Sequence, residues 1–564
     1  MTSYLITTTD RSRWPSSGHL VFIGTFCLPD DPDSLLDQYT YEIAETSVSP
    51  DDKLLCFQSS LTAHKHLSAH LSDALNRAHQ LKKSNRHWRI LTGSWLNLFI
   101  DLLISRIFII STLRATIPDL QLVSATKDEH RRTPFSTSDF HLLTKSTEWN
   151  SLIYSDLWDF ANVQLDSGSP SFERIAQANP EPQPQLSKLS GFVLSATYLP
   201  RIQEIILQLR LGTKFRRLQV VPPPEATFDH KARQQLTHDD SKLSETERVL
   251  FKFIIIYLPT SFLEGFFELC SSMHQMRFPA RPKAIFTSNR HIYDDVFNAW
   301  AANATEKGSR FILGQHGGHY GISRFPSYAE RHEILVSDAY LTWGWIPSNK
   351  NTSGIILTTI GIHQKKNKNR SKLLFVTEQL YAQPRAVFTD VNQSSDYLSH
   401  LVSVVRSLPL AIQNDLEIRP HHGQNSTGQN LDFWWKNKLP QIKLGDGTIP
   451  FKQLVKSAKI VIVAHNGTTL PENFANAIPT LITWTSNWVE IRDEAKPIFV
   501  KLAEVGIFHE NPASLAKHIS EIWDNVDVWW ESRDVVEARE LFCSHFARSV
   551  PHPQKFLLEI IKGK

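Results

Sequence analysis

Cysteine is scarce in this chain of 564 residues: Cys27, Cys56, Cys270 and Cys543 stand far apart, and no two form a CxxC pair. That excludes a standard zinc motif and a disulfide framework, and it fits reduced, mostly buried thiols in a reducing compartment. Motifs that announce other chemistries are missing too. GxxxxGK[ST] and GxGxxG are absent, so kinase and NAD-dependent readings lose their anchors, as does the ordinary G-x-S-x-G hydrolase. Charge of one sign is also lacking: 60 Lys+Arg against 57 Asp+Glu leaves a net of +3. So even a balance argues against a dedicated nucleic-acid binder.

Long apolar runs are few. The N-terminus, MTSYLITTTDRSRWP, has no apolar signal core, so a cytoplasmic location is expected. The most apolar run, Trp95 to Leu113, is interrupted by Asp101 and Arg106. Spanning a bilayer needs about 20 uninterrupted apolar residues. Two readings stay open: a helix buried in the protein, or one lying against the inner face of the membrane. No internal repeat or long low-complexity tract is evident.

What is present is ordinary globular text rich in aromatics, with 41% hydrophobic residues, 15 Trp and 32 Phe. The length predicts more than one core. His19 to Phe26 reads as a strand and Ala63 to Lys83 as helical; Asn179 to Leu186 (NPEPQPQL) reads as an exposed loop. Residues 191–260 look helical. Near Arg281 short apolar runs begin to alternate with amphipathic stretches. Lys283–Thr287, Arg310–Leu313 and Ala339–Trp343 are strand candidates, and His291–Ala304 is a helix with Ile292, Val296 and Trp300 on one face. The polar stretch Gln364–Arg370 reads as a linker. Beyond it, strands are expected at 373–376, 416–419, 459–464 and 480–484, with helices at 396–407, 451–457 and 469–476. The expectation is an α/β fold of two Rossmann-like lobes with an α-rich N-terminal portion, split as 1–365 and 371–564. Ligands in such sheets bind outside the carboxyl ends of the strands, so those loops carry the chemistry.

Four loops stand out. His465-Asn466-Gly467-Thr468-Thr469 follows a strand and opens a helix. Thr469 with Glu472 fits a capping box, and free amides beside hydroxyls can hold a phosphate; an ordinary capped helix would read the same way. Arg419-Pro420-His421-His422 ends another strand with a cationic fork, a rigid turn and two imidazoles. Gly314-Gln315-His316-Gly317-Gly318-His319-Tyr320-Gly321 is the densest, with four Gly for close backbone approach and two imidazoles as proton carriers. Its spacing is not HExxH, and no metal is expected. In the fourth, Ser288 or Asn289 can cap the following helix. Asp294 and Asp295 either complement the helix dipole or act as base or nucleophile toward an anomeric carbon. Expected sugar or acceptor contacts are Ser288, Asn289, Gly317, Gly318, Tyr320, Trp345 and Glu378.

NRHWRILTGSWLN (85–97), TSNRHIYDDVFNAWAA (287–302), GQHGGHYG (314–321) and DAYLTWGW (338–345) together resemble a family of transferases found in bacterial O-antigen and surface-polysaccharide gene clusters. His465 to Thr469 and the Trp529-Trp530 region also fit, and Ser94 departs from the pattern, where a Pro would be expected. More distantly the pattern is similar to GT-B glycosyltransferases, including those that use CMP-linked ulosonic acids such as Kdo. The resemblance implies a nucleotide-sugar donor held in the C-terminal lobe by Arg419, His421, His422, His465, Asn466, Gly467, Thr468, Thr469 and Glu472. It implies a lipid-linked or glycan acceptor in the N-terminal lobe, with Gln315, His316 and His319 facing the reacting sugar. It implies no cofactor beyond the donor itself. A polyol-phosphate transferase of the CDP-glycerol type, or a non-catalytic glycan-binding or assembly protein, are the competing readings.

Overall fold

The computed structural model describes residues 2–28, 38–44, 46, 48–123, 133–160, 191–213, 220–237, 241–347, 352–353, 370–381, 383, 385, 393–421, 431–445, 447–550 and 552–563. The expected loop at Asn179–Leu186 and most of the Gln364–Arg370 linker lie outside the described residues.

The fold is α/β, with every strand pairing parallel. On the N-terminal side β1 (Ser3–Ile6), β2 (His19–Phe22), β3 (Thr40–Ile43) and β4 (Gln121–Leu122) form one sheet in the order β3-β2-β1-β4. A second sheet runs β5 (Phe192–Leu194), β6 (Ala284–Thr287), β7 (Arg310–Gly314), β8 (Ala339–Leu341) and β9 (Thr352–Ser353). The C-terminal side carries β10 (Lys372–Val376), β11 (Leu416–Arg419), β12 (Lys443–Leu444), β13 (Ala458–Val463), β14 (Thr480–Thr483) and β15 (Phe508–His509). Their order is β12-β11-β10-β13-β14-β15. Runs such as Lys-Ile-Val-Ile-Val in β13 are buried on both faces because crossovers cover both faces of a parallel sheet. In this last sheet the chain winds one way from β10 to β12, then returns to start again at β13. The crevice at the carboxyl ends of β10 and β13 is therefore its switch point. Strands β1 and β5 were not legible as strands, being only four and three residues long.

Two long helices, Pro50–Ala78 and Asn85–Thr116, fill the space between β3 and β4. The second contains the apolar run, and among the described residues it alone is long and apolar enough to cross a membrane. Yet 83% of its most apolar window is buried inside the protein. Its charges are matched internally. Asp101 accepts from the Ser60 hydroxyl and from Arg331 Nη2 at 2.6 Å, and Arg106 Nη2 donates to Asn150 Oδ1 at 2.6 Å. Of the two readings, the structure shows the buried helix. Ser94 sits mid-helix, its hydroxyl on the Ile292 carbonyl at 2.9 Å, so no turn occurs where a Pro was expected.

The chain's end crosses back. Helix Pro553–Lys562 lays Leu557 and Ile561 on Leu207 of the helix Arg201–Leu211 and on Phe286 and Ile312 of the second sheet, and Arg310 Nη1 donates to the Ile560 carbonyl at 2.6 Å. The last helix therefore ties the C-terminal segment to the N-terminal side.

The Asp101–Arg331 pair joins the core helix to helix Tyr328–Val336, and both partners are mostly buried. Removing one partner strands the other charge, at a cost of about 3 kcal/mol. Arg331→Leu should lower unfolding free energy by that order in urea titration, and Arg331→Leu with Asp101→Asn should recover part of it; equal losses in both variants would refute the pairing's role.

Candidate functional site

The loop after β7 and the loop after β13 meet. A Cβ on Gly318 would lie 2.4 Å from the Gly467 carbonyl carbon and oxygen and 2.6 Å from the Thr468 nitrogen. Only a residue without a side chain permits that approach. Around it the two sides are sewn together. Asn466 Nδ2 donates to Ser323 Oγ at 2.9 Å, and Arg492 Nη2 pairs with Glu330 at 3.0 Å. Arg492 Nε donates to the Ser323 carbonyl at 3.0 Å, while Lys53 and Arg324 both pair with Glu490 at 2.8 and 3.0 Å.

Beneath the glycine-rich loop lies a carboxylate with no exposure. Glu333 Oε1 accepts from His316 Nδ1 at 3.2 Å, His291 Nε2 at 3.1 Å and the Tyr320 hydroxyl at 3.3 Å. Its Oε2 accepts from the Tyr340 hydroxyl at 2.9 Å. Burial alone would raise its pKa, but His316 and His291 outweigh burial and hold it at about 2. Glu333 is thus a buried anion, which needs this many donors to be tolerated. With Nδ1 donating to Glu333, His316 has Nε2 as its acceptor, 3.3 Å from the Tyr320 hydroxyl, and the side chain is 18% exposed. This is the base-and-orienter arrangement of acid–base catalysis. His319, whose Nε2 lies 3.3 Å from Ser327 Oγ, is held neutral, burial and then His316 pushing its pKa down to about 4.

Across the seam, His465 Nδ1 accepts the Gly467 amide at 2.8 Å, so its proton sits on Nε2. Burial, with His421 and Arg419 nearby, lowers its pKa to about 3. It is a fixed neutral donor. Arg419 stacks over Phe451 at 5.6 Å and keeps a buried Nε without a partner. Thr468 caps helix Thr469–Ala475 in helical conformation and makes no side-chain capping bond. The expected capping box of Thr469 and Glu472 is therefore absent. At the switch point Glu378 accepts Trp488 Nε1 at 3.0 Å, and burial pushes its carboxyl up to about 7 against that bond. His421 lies beside His465, whereas His422 is outside the described residues.

Several expected site residues are used elsewhere. Gln315 does not face a substrate: its Oε1 accepts the Trp343 amide and Trp345 Nε1 at 2.9 and 2.8 Å, and its Nε2 donates to the Gly317 carbonyl at 2.7 Å. It shapes the loop. Asp294, not Ser288 or Asn289, caps the helix Asp295–Glu306, accepting the Phe297 amide at 2.9 Å and Arg290 Nε at 2.8 Å. Asp295 is fully buried on Thr137 and Ser261, and burial raises its pKa to about 6. Neither aspartate is placed as base or nucleophile. Ser288 bonds the Thr197 carbonyl and Asn289 the Tyr198 hydroxyl. Trp345 is buried, with Gly321 at φ +76° pressed on its ring and Arg492 5.5 Å above, so no sugar stacks there. Tyr320 is equally buried and serves Glu333, and Asn466 serves the seam. Among the described residues no group of three side chains could hold a metal ion. Glu333 was in view in the sequence but unassigned; its only signal was a charged residue beside His332 in a helix that must be buried.

A family model of LIC12162 family transferases matches residues 3–561. The chain belongs to this family. No curated protein matches the sequence. Solved structures similar to this family transferase include MurG of Acinetobacter baumannii at 14% identity and TM-score 0.32, covering 54% of this chain and 79% of that one. The MnaA–UDP co-structure of S. aureus is 12% identical, with TM-score 0.34 and coverage of 52% and 78%. The calicheamicin glycosyltransferase CalG4 is 11% identical, with TM-score 0.31 and coverage of 58% and 83%.

The transferase's buried imidazoles make it acid-sensitive. His465 and His332 have pKa values lowered to about 3, and His319 and His87 to about 4, burial being the first cause in each. Below about pH 6.5 the unfolded chain binds protons at these positions that the folded chain refuses, so stability falls with pH. Asp295 and Glu378, raised to about 6 and 7, act the other way but are outnumbered. Urea midpoints should fall from pH 7 to 5, by on the order of 2 kcal/mol per pH unit; a flat or rising stability would contradict this protonation scheme.

Proposed function

We propose that this transferase moves a sugar from a nucleotide donor to a glycan acceptor of a bacterial surface polysaccharide, with a CMP-linked ulosonic acid as the most specific version. The observation that carries it is the approach of Gly318 to Gly467 and Thr468, which faces a phosphate-suited loop with a His–carboxylate pair. Arg419 and the Nε2 of His465 supply donors to the donor's phosphate, with the Thr468 and Thr469 hydroxyls beside them. His316 Nε2 takes the proton from the acceptor hydroxyl. The freed oxygen bonds to the anomeric carbon as the bond from that carbon to the phosphate oxygen breaks, and the nucleotide leaves with the electron pair. Glu333 keeps the His316 ring oriented and stabilises the imidazolium that forms. Cationic and neutral donors at the phosphate serve to offset the charge that builds on the leaving group, without a metal in the scheme. Glu378 is proposed to touch the sugar at the switch point. The division into an acceptor side at 1–365 and a donor side at 371–564 belongs to the same proposal, as does a cytoplasmic location.

Thermal shifts with CMP, CDP, UDP, GDP and dTDP should single out one nucleotide, since a ligand at about 100 times its Kd adds about 2.7 kcal/mol to stability. Arg419→Ala and His465→Ala should abolish that shift. His316→Ala should keep it and lose turnover by about 10²–10⁴-fold with the donor so identified. CDP-glycerol as the productive donor, or a fully active His316→Ala enzyme, would overturn the reading.

A further inference from the structure

A second cationic centre sits on the seam, away from the loops assigned to the nucleotide phosphate. Arg385 follows β10 on the C-terminal side, yet its Nη2 donates to His141 Nδ1 of the N-terminal side at 2.8 Å. That bond fixes the tautomer: the imidazole proton is on Nε2. His141 is 5% exposed, and its Nε2 is buried without a partner. Arg385 Nε is likewise buried and unpartnered, and no carboxylate pairs with Arg385 among the described residues. Lys145 stands close enough for Arg385 to lower its pKa, after burial, and burial first, then both cations, push His141 well below its ordinary value. Two residues before Arg385, Gln383 is 1% exposed with both amide atoms unpartnered.

Like charges and unpartnered donors gathered at one place are costly, because a buried donor left unmade costs about 1–3 kcal/mol. An anion removes that cost. Rings frame the place. Arg385 lies over Tyr381 at 4.7 Å from the ring centre, and Tyr293 meets the His141 ring edge-on at 4.7 Å. Tyr293 is nevertheless 49% exposed, so the cluster opens to solvent beside an aromatic face. It also borders the proposed chemistry: His141 packs within 6.1 Å of Tyr328, the first residue of the helix that carries Glu333.

We infer that Arg385, Lys145 and the Nε2–H of His141 form a binding site for the anionic substituent, carboxylate or phosphate, of a sugar substrate, with Tyr293 and Tyr381 as its aromatic walls. The inference rests on the transfer reading for the sugar being a substrate, but not for its being bound. A guanidinium fork and a neutral imidazole donor suit the planar oxygens of a carboxylate and equally a phosphate. The anion belongs either to the transferred sugar or to the acceptor.

Calorimetry on the full chain separates these. One pair of probes is CMP and CMP-N-acetylneuraminate; the other is methyl β-glucoside and methyl β-glucuronide. The carboxylate-bearing member of at least one pair should bind tenfold or more tightly than its counterpart, and the pair that shows it names the source. Arg385→Gln should erase that preference and leave CMP affinity unchanged, whereas Arg385→Lys should keep part of it. If Arg385→Gln does not fold, Lys145→Gln takes its place and should reduce the preference at least threefold. No preference in either pair, a preference that survives these variants, or displacement of methyl β-glucuronide by CMP would overturn the inference. Failure of CMP to bind while an Arg385-dependent glucuronide preference persists would sink the transfer reading and leave the anion site standing.

Discussion

Two backbones touching without side chains between them set the geometry of the cleft. Gly318 faces the Gly467 carbonyl at a separation where any Cβ would collide. Polar contacts flank that approach: Asn466 to Ser323, Arg492 to Glu330, Glu490 to Lys53 and Arg324. A seam of hydrogen bonds and ion pairs is directional, whereas an apolar seam is not. It therefore fixes the register between the two loops, which is what the proposed transfer from one side to the other requires. Nothing in the bulk of either side would do this, because packed sheets specify their own interiors and not the height of a loop across a gap.

Glu333 shows the same division between stability and function. Burying a carboxylate costs several kcal/mol, and ion pairing with neighbours seldom returns more than it costs. An apolar residue at that position would make a simpler core. Four donors from His291, His316, Tyr320 and Tyr340 are instead spent on it. Three of those groups are deeply buried, and the fourth, His316, reaches the cleft. Such a network is expensive as scaffolding and useful as a device that holds the His316 ring in one orientation.

How much of this the sequence disclosed depends on the range of the interaction. The strands at 284–287, 310–313, 373–376, 416–419, 459–464 and 480–484 were legible because continuous apolar runs between turn signals report burial directly. The glycine-rich and HNGTT loops were legible for a related reason: glycine and polar residues just past a buried strand are unusual unless the backbone must approach something. Roles within those loops were not legible, since partners lie far off in the chain. Gln315 and Trp345 bond each other across thirty residues, and Asp295 is claimed by Thr137 and Ser261. Asp294 was the opposite case, where the local rule for helix caps already had the answer. Glu333 went unassigned and Arg385 unremarked because a charged residue in a helix or after a strand reads as surface until its burial is seen.

The placement of cations completes the argument. With a net charge of only +3 the chain has no general pull on anions. Any preference must come from local concentration. Arg419 ends β11, beside β10, whereas Arg385 stands apart from it against His141 of the N-terminal side. Each guanidinium keeps a buried Nε without a partner. Arg233 is the contrasting case: its guanidinium bonds Glu264 and three backbone oxygens and is closed on its own scaffold. The open Nε of Arg385 and of Arg419 is the observation behind the two proposed anion sites.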